Sequence, residues 1–282
     1  MSINGRIGVI GSPVAHSLSP KIHNAALQSL GLDITYELWE TSEENLSERI
    51  AMLHAPDVLG ANVTVPFKQK VIPLLDEIEG FAREVGAVNT IIKRNGLLIG
   101  TNTDAEGFII PLAKELNKLQ LDFPQVRTLI IGAGGASRAI VFALAKAGSR
   151  NITIVNRTLE SARELAHSLS LFSTQINVDT YTTISSLEGF NCIINATSIG
   201  MDGGPRPNEQ PCDLAGVSSS ALVVDIVYAP KETLFLKSAQ DLNLPRLGGI
   251  PMLIQQAALS FELWTGEEAP LNTMRTAIED VV

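Results

Sequence analysis

Residues 126–157 read VRTLIIGAGGASRAIVFALAKAGSRNITIVNR, and no other stretch restricts the fold of this chain as much. "VRTLIIG" (126–132) is an apolar run of strand length. "GASRAIVFALAKAG" (135–148) has helical periodicity and closes on Gly148, and "NITIVNR" (151–157) is a second apolar strand. Strand, helix and strand in that order make one βαβ unit. Glycines at the first join let the backbone turn tightly and approach a pyrophosphate, which then lies on the free N–H groups of the helix start. Such a string alone also fits a plain tight turn with small residues for packing, and its third glycine position holds Ser137. The complete βαβ context favours a dinucleotide site.

The tip of the second strand bears on which dinucleotide. NAD-binding units usually carry an acid there to accept from the ribose hydroxyls. This chain has "VNRT" (155–158) instead. No carboxylate repels a 2′-phosphate, and Arg157 offers a planar, permanently charged fork to hold one. Asn156 and Thr158 add hydrogen-bond donors. Arg157 read alone is a solvated arginine at a strand end; with the acid missing, the pair of observations favours NADP.

Upstream, period 2 and period 3.6 alternate in the same way. "RIGVIG" (6–11), "ITYELWE" (34–40) and "GANVTVPF" (60–67) read as strands. "SPKIHNAALQSLG" (19–31) reads as a helix with Ser19 at the N-cap, Pro20 at N1 and Gly31 past its end. "SEENLSERIAML" (42–53) is a helix with an acidic first turn, and a long helical segment is expected from the third strand to about Gly86. "NTIIKRNGLLIGTNTD" (89–104) predicts a hairpin turning at Asn95-Gly96, and "DAEGFIIPLAKELN" (104–117) a helix. After the βαβ unit, "NCIINAT" (191–197) and "ALVVDIVY" (221–228) are further strands, and "PMLIQQAALSFELWTG" (251–266) is an amphipathic helix. The fold class is α/β. A chain of 282 residues exceeds most single cores, so two domains are expected, the second a Rossmann-type dinucleotide-binding domain over 107–250.

A net charge of −9 excludes a general basic surface for nucleic acid or anionic lipid, so an anionic ligand must be held by a few placed groups. His16, His23, His54 and His167 are scattered, which argues against a metal site. Cys192 and Cys212 lack CxxC spacing and read as reduced thiols. No apolar run reaches membrane-spanning length. A cytoplasmic protein is expected.

Three segments of the first domain end on the rim where open α/β sheets bind ligands. "GSPVAHSLSP" (11–20) brings Ser17 and Ser19 to a helix start, a natural cradle for a carboxylate. "NVTVPFK" (62–68) presents Thr64 and Lys68, and "TNTD" (101–104) presents Asn102, Thr103 and Asp104. Each has an ordinary reading, Lys68 as a surface lysine and Ser19 and Asp104 as helix caps. Their joint placement favours a site.

"HSLSP", "NVTVPFK", "GAVNT", "TNTD", "GAGGAS", "NRT", "NATSIGM" and "QQAA" stand in the order and at about the spacing of the shikimate dehydrogenase family, which the chain resembles from about residue 6 to about 266. The resemblance implies an N-terminal open α/β substrate domain (1–106) completed by C-terminal helices (251–282), the NADP domain (107–250) between these segments, and an active-site cleft between the two domains. It implies reversible, NADPH-dependent reduction of 3-dehydroshikimate to shikimate in the chorismate and aromatic amino-acid pathway, with Lys68 as general acid/base beside Asp104. Ser17 and Ser19 would hold the substrate carboxylate; Thr64, Asn89, Asp104, Tyr228 and Gln256 would bind ring hydroxyls. Gly132, Ala133, Gly134, Gly135 and Ala136 would cradle the pyrophosphate. Asn156, Arg157 and Thr158 would receive the 2′-phosphate, and Ile226 and Gly249 would approach the nicotinamide.

The family usually has Gly before the methionine of its last motif, whereas this chain has Pro251 before Met252, which suits a first helical turn. A quinate/shikimate relative using NAD or both cofactors is the nearest alternative. Such relatives tend to carry an acid after the strand tip and to alter a serine; here Leu159 follows "NRT" and both serines stand. A non-catalytic NADPH-binding sensor is a remote alternative, against which both Lys68 and Asp104 speak. The sequence leaves monomer and homodimer open.

Overall fold

The computed structural model describes residues 4–169, 174–180 and 186–281. The chain divides into two compact units, one formed by Met1–Gly107 and Ile254–Val281, the other by Phe108–Leu253.

The first unit is built on a six-stranded sheet of β1 (Asn4–Gly11), β2 (Asp33–Glu40), β3 (Val58–Val63), β4 (Glu77–Ile78), β5 (Thr90–Arg94) and β6 (Leu97–Thr101), in the order β2-β1-β3-β5-β6-β4. β1 runs parallel to both β2 and β3, while β5 is antiparallel to β3 and β6. Its helices are α1 (Ser19–Ser29), α2 (Leu46–Ala51), α3 (Phe81–Val85) and the start of α4 (Asp104–Lys118). Ile10, Leu53, Ala61, Phe67, Val71 and Ile91 form its core. The hairpin between β5 and β6 turns at Asn95 (φ 55°) and Gly96 (φ 81°), the two positive φ values that an Asn-Gly type I′ turn needs.

Three expectations are corrected here. The third strand ends at Val63, because Pro66 has no N–H to continue a ladder and Phe67 N–H turns back onto Thr64 O at 2.9 Å. The long helix expected after it is absent: Ile72–Leu74 is a single 3₁₀ turn, β4 follows, and only α3 is helical before Gly86. Pro73 lies inside that 3₁₀ turn, and Gly80 sits at φ 58°, so neither position continues a helix. The helix expected over 42–53 is confined to α2 with a 3₁₀ turn at Met52–His54, and its acidic first-turn residue is Glu48.

The second unit carries β7 (Arg127–Ile131), α5 (Gly135–Lys146), β8 (Asn151–Val155), α6 (Leu159–His167), β9 (Gln175–Asp179), β10 (Cys192–Asn195), β11 (Leu222–Asp225), α7 (Leu234–Asp241) and β12 (Arg246–Leu247). All six strands are parallel, in the order β12-β11-β10-β7-β8-β9. Counted along this unit the order is 6-5-4-1-2-3, the doubly wound Rossmann order, whose switch point between the first and fourth strands lies at β7 and β10. Crossover helices on a parallel sheet leave its strands buried on both faces, which is why β10 and β11 are wholly buried CIIN and LVVD. α8 (Ile250–Thr265) and α9 (Leu271–Thr276) follow, and from Ile254 onward the chain belongs to the first unit.

Candidate active site

Lys68 leaves the turn after β3, and its Nζ donates to Asp104 Oδ2 at 2.5 Å. The side chains are 16% and 8% exposed, so the pair is largely withdrawn from water. Asn89 stands just before β5. Its Nδ2 donates to the other carboxylate oxygen, Asp104 Oδ1, at 2.9 Å and to Thr103 Oγ1 at 2.9 Å. The orientation of the Asn89 amide follows from its neighbours. The Thr103 backbone N–H, which must meet an oxygen, donates to Asn89 Oδ1 at 2.7 Å. Asp104 is not the cap of α4. The Asn102 carboxamide oxygen accepts the backbone N–H groups of Asp104 (3.0 Å) and Ala105 (3.2 Å), which leaves the Asp104 carboxylate to Lys68 and Asn89.

Behind this pair lies a buried polar cluster. Asn62 Nδ2 is within hydrogen-bond distance of Thr90 Oγ1 and Ser260 Oγ, both at 3.2 Å, and Thr90 and Ser260 hydroxyls are 2.8 Å apart. Thr90 Oγ1 donates to Asn89 Oδ1 at 3.0 Å. At the far side, the Tyr36 hydroxyl donates to Asn62 Oδ1 at 2.6 Å. Burial raises the Tyr36 hydroxyl above the ordinary phenol range, with the Ser19 hydroxyl acting the other way. Ser19 is the first residue of α1 rather than its N-cap; Leu18 is the cap residue and gives no side-chain bond, while Ser17 Oγ accepts Ser19 N–H at 3.2 Å. Both serines are half-buried at the start of a helix whose first turn contains no acidic residue. Thr64 is half-buried, its methyl lying against Gly11, and Gln256 packs on Gly107, where a Cβ would lie 2.7 Å from Gln256 Cβ. Thr64, Lys68, Asn89, Asp104, Ser17, Ser19 and Gln256 thus all belong to the first unit.

In the second unit, Gly132 follows β7 at φ 114°, and a Cβ there would lie 3.0 Å from Ala196 O and 2.9 Å from Thr197 Cγ2, so no side chain fits. Gly134 precedes α5 with nothing within 4 Å of its absent Cβ, and no side chain caps that helix. Together with Ala133, Gly135 and Ala136 they present an open helix start, the cradle a pyrophosphate needs. At the tip of β8, Arg157 is exposed and pairs with no carboxylate among the described residues; Thr158 is exposed beside it. Asn156 directs one amide hydrogen onto Thr158 O at 2.9 Å and so shapes the loop. These residues fit a dinucleotide that carries a 2′-phosphate.

At the end of β11, Ile226 lies against Gly249, where a Cβ would sit 2.3 Å from Ile226 O. Tyr228 follows, mostly buried, and burial raises its hydroxyl above its usual range. Tyr228, Ile226 and Gly249 all belong to the second unit. Burial also pushes the Cys192 and Cys212 thiols up to about 12, which makes them poor nucleophiles. Among the described residues no His, Cys, Asp and Glu group could hold a metal ion. No helix is long and apolar enough to cross a membrane. Sequence reasoning passed over Asn62, Thr90 and Ser260 as site neighbours. Asn62 and Thr90 stand inside quoted motifs and could have been found there, whereas Ser260 carries no local signal.

A parallel-sheet dinucleotide fold in one unit and a largely buried lysine–aspartate pair in the other define a two-unit, pyridine-nucleotide type of α/β protein. Family models agree over three segments: the shikimate dehydrogenase substrate binding domain over residues 9–91, shikimate / quinate 5-dehydrogenase over 112–204, and the shikimate 5′-dehydrogenase C-terminal domain over 249–279. The chain is 41% identical over 271 residues to shikimate dehydrogenase (NADP(+)) of Bacillus subtilis (strain 168), covering 96% of this chain and 95% of that protein. A crystal structure of a shikimate dehydrogenase in complex with NADP+ superposes with a TM-score of 0.91 at 38% identity, over 98% of this chain and 95% of the other. The ligand-free 5-ketofructose reductase of Gluconobacter sp. strain CHM43 superposes at 0.88 with 31% identity, over 99% of both chains. The chain belongs to the shikimate dehydrogenase family.

Proposed function

We propose that this protein is an NADP-dependent shikimate dehydrogenase that reversibly reduces 3-dehydroshikimate to shikimate in the aromatic amino-acid pathway. The observation that carries the reading is the Lys68 ammonium held 2.5 Å from the Asp104 carboxylate in a largely buried setting. Negative charge grows on the ketone oxygen as the carbon is reduced, and a placed ammonium both stabilises that charge and donates the proton. In the oxidative direction neutral Lys68 takes the proton from the alcohol. Asp104 orients Lys68 and accepts from a ring hydroxyl, and Asn89 fixes the carboxylate from its other oxygen.

Ser17 and Ser19 hold the substrate carboxylate at the start of α1, and Thr64, Asn89, Tyr228 and Gln256 bind ring hydroxyls. Gly132 to Ala136 receive the pyrophosphate, Asn156, Arg157 and Thr158 the 2′-phosphate, and Ile226 and Gly249 the nicotinamide end. Bound NADPH supplies the hydride. The substrate-binding residues 1–106 with 251–282, and the NADP-binding residues 107–250, are the functional domains. The same reading assigns a cytoplasmic monomer or homodimer, with small molecules as its ligands and neither nucleic acid nor membrane.

Reduced-nicotinamide absorbance tests this directly, with shikimate or quinate as substrate and NADP or NAD as acceptor. Turnover with shikimate and NADP alone supports the assignment. Comparable turnover of quinate, or a preference for NAD, moves the protein to the dual-substrate branch. NADPH-dependent reduction of 5-ketofructose with no shikimate oxidation replaces the substrate assignment, and no turnover in any mixture with NADPH still bound supports a sensor.

A further inference from the structure

Asp225 ends β11, is fully buried, and has no counter-ion among the described residues. Burial costs an ionised carboxylate several kcal/mol unless donors surround it. Three donors do. Oδ1 accepts Asn195 Nδ2 at 2.9 Å and the Val227 backbone N–H at 3.0 Å, and Oδ2 accepts Thr233 Oγ1 at 2.7 Å. Each donor comes from a different place: Asn195 closes β10, Thr233 is the N-cap of α7, and Val227 lies two residues along the same loop. The bond from Val227 N–H makes an Asx turn, which folds the chain at Ile226. The folded turn is what sets Ile226 O against Gly249, where no side chain fits. Asp225, Ile226 and Gly249 line one small cavity with Phe108 and Met252.

We propose that Asp225 is a positioning residue for the cofactor: its carboxylate ties the ends of β10, β11 and α7 together and holds the Ile226–Tyr228 turn in the shape that receives the nicotinamide end of NADP. This rests on the reading of Ile226 and Gly249 as nicotinamide neighbours. An amide here would present its NH2 to Thr233, so the Thr233 hydroxyl would have to turn and accept instead of donating, and the charge that draws all three donors inward would be lost. Among the described residues the groups bonded to Asp225 are Asn195, Thr233 and the Val227 amide, and none is charged. Burial raises the Asp225 carboxyl to about 6, with the three hydrogen bonds opposing it. The device therefore weakens on mild acidification.

The test is NADPH affinity of the purified full chain by fluorescence titration, with shikimate affinity as the control. Asp225→Asn should weaken NADPH binding about tenfold or more while shikimate binding stays within about twofold, the loss expected for a hydrogen-bonded charge. Between pH 7.5 and 5.5 the wild type should lose NADPH affinity more steeply than Asp225→Asn. The comparison is needed because the 2′-phosphate of the ligand has its own ionisation near pH 6. NADPH affinity and pH slope equal to wild type would overturn the inference, as would equal losses for both ligands. Should Asp225→Asn not fold, Thr233→Val against Thr233→Ser carries the same test: only the valine should weaken NADPH binding, and equal binding by both overturns it. Wild type that binds no NADPH overturns the functional reading, and the inference with it.

Discussion

The backbone N–H of Asp104 is bonded to the carboxamide oxygen of Asn102 at 3.0 Å, and this frees the Asp104 side chain from capping its own helix. Asn102 Nδ2 is anchored in turn on Ala87 O at 2.9 Å, two residues before Asn89. Asn102→Ala removes the cap, which costs about 1 kcal/mol, and leaves the Asp104 carboxylate to bond the helix start instead of Lys68. Turnover should fall about tenfold for a modest loss in melting temperature. A variant that is less stable yet turns over normally would show that Asn102 serves the helix alone.

Lys68→Ala should lower kcat about a hundredfold or more, the range of a positioned acid–base group, and change KM for shikimate less. Steady-state kinetics in the oxidative direction checks this. A rise in KM with kcat preserved would reassign Lys68 to binding.

Arg157 is exposed and unpaired among the described residues, so its removal should disturb little of the fold. Arg157→Ala should raise KM for NADP about tenfold or more and leave KM for NAD within about twofold. Parallel losses with both cofactors would make it a general structural contact.

His23 gives an acid-side prediction with a definite sign. It is fully buried, stacks on Tyr36 at a centroid distance of 4.3 Å, and neither ring nitrogen has a hydrogen-bond partner among the described residues. Burial holds it neutral, down to about 3 from an ordinary 6.5. Between those values the unfolded chain takes up a proton that the folded one refuses. The stabilisation is thus complete above about pH 6.5 and is lost as pH falls, by about 3 kcal/mol at pH 4.5. Asp225 works in the opposite sense: its carboxyl, raised to about 6, takes up a proton in the folded state first and favours folding between about pH 4 and 6. His23→Phe, which retains a ring in the stack, should lose less stability than wild type between pH 6.5 and 4.5. Urea unfolding at the two values measures it, and an unchanged loss would clear His23 as the acid-sensitive group.

How much of this was legible depends on how local each cause is. The Asn95-Gly96 hairpin and the βα turn at Gly132 were readable because one or two residues fix their geometry. The stretch after Phe67 misled because Val71, Ile72, Leu74 and Leu75 imitate a helical face, while Pro73 and Gly80 decide otherwise. β4, β9 and β12 escaped notice as short edge strands that neighbouring strands, more than their own sequences, hold in place. Lys68 and Asp104 could be named from motifs, but not their bond, since 36 residues separate them. The Ser260 contact spans 170 residues to Thr90, and no period in the sequence foretells it.

Gly60 has no side chain, and the indole of Trp264 fills that space, its Nε1–H donating to Ile91 O at 2.9 Å. Two hundred residues of other structure are made before that tryptophan exists. On a ribosome, then, β3 and β5 emerge early with an open trough along them, and the second unit is synthesised complete while the trough waits. A nascent chain stalled before residue 254 should display that apolar trough to chaperones, and release of the last helices should seal it.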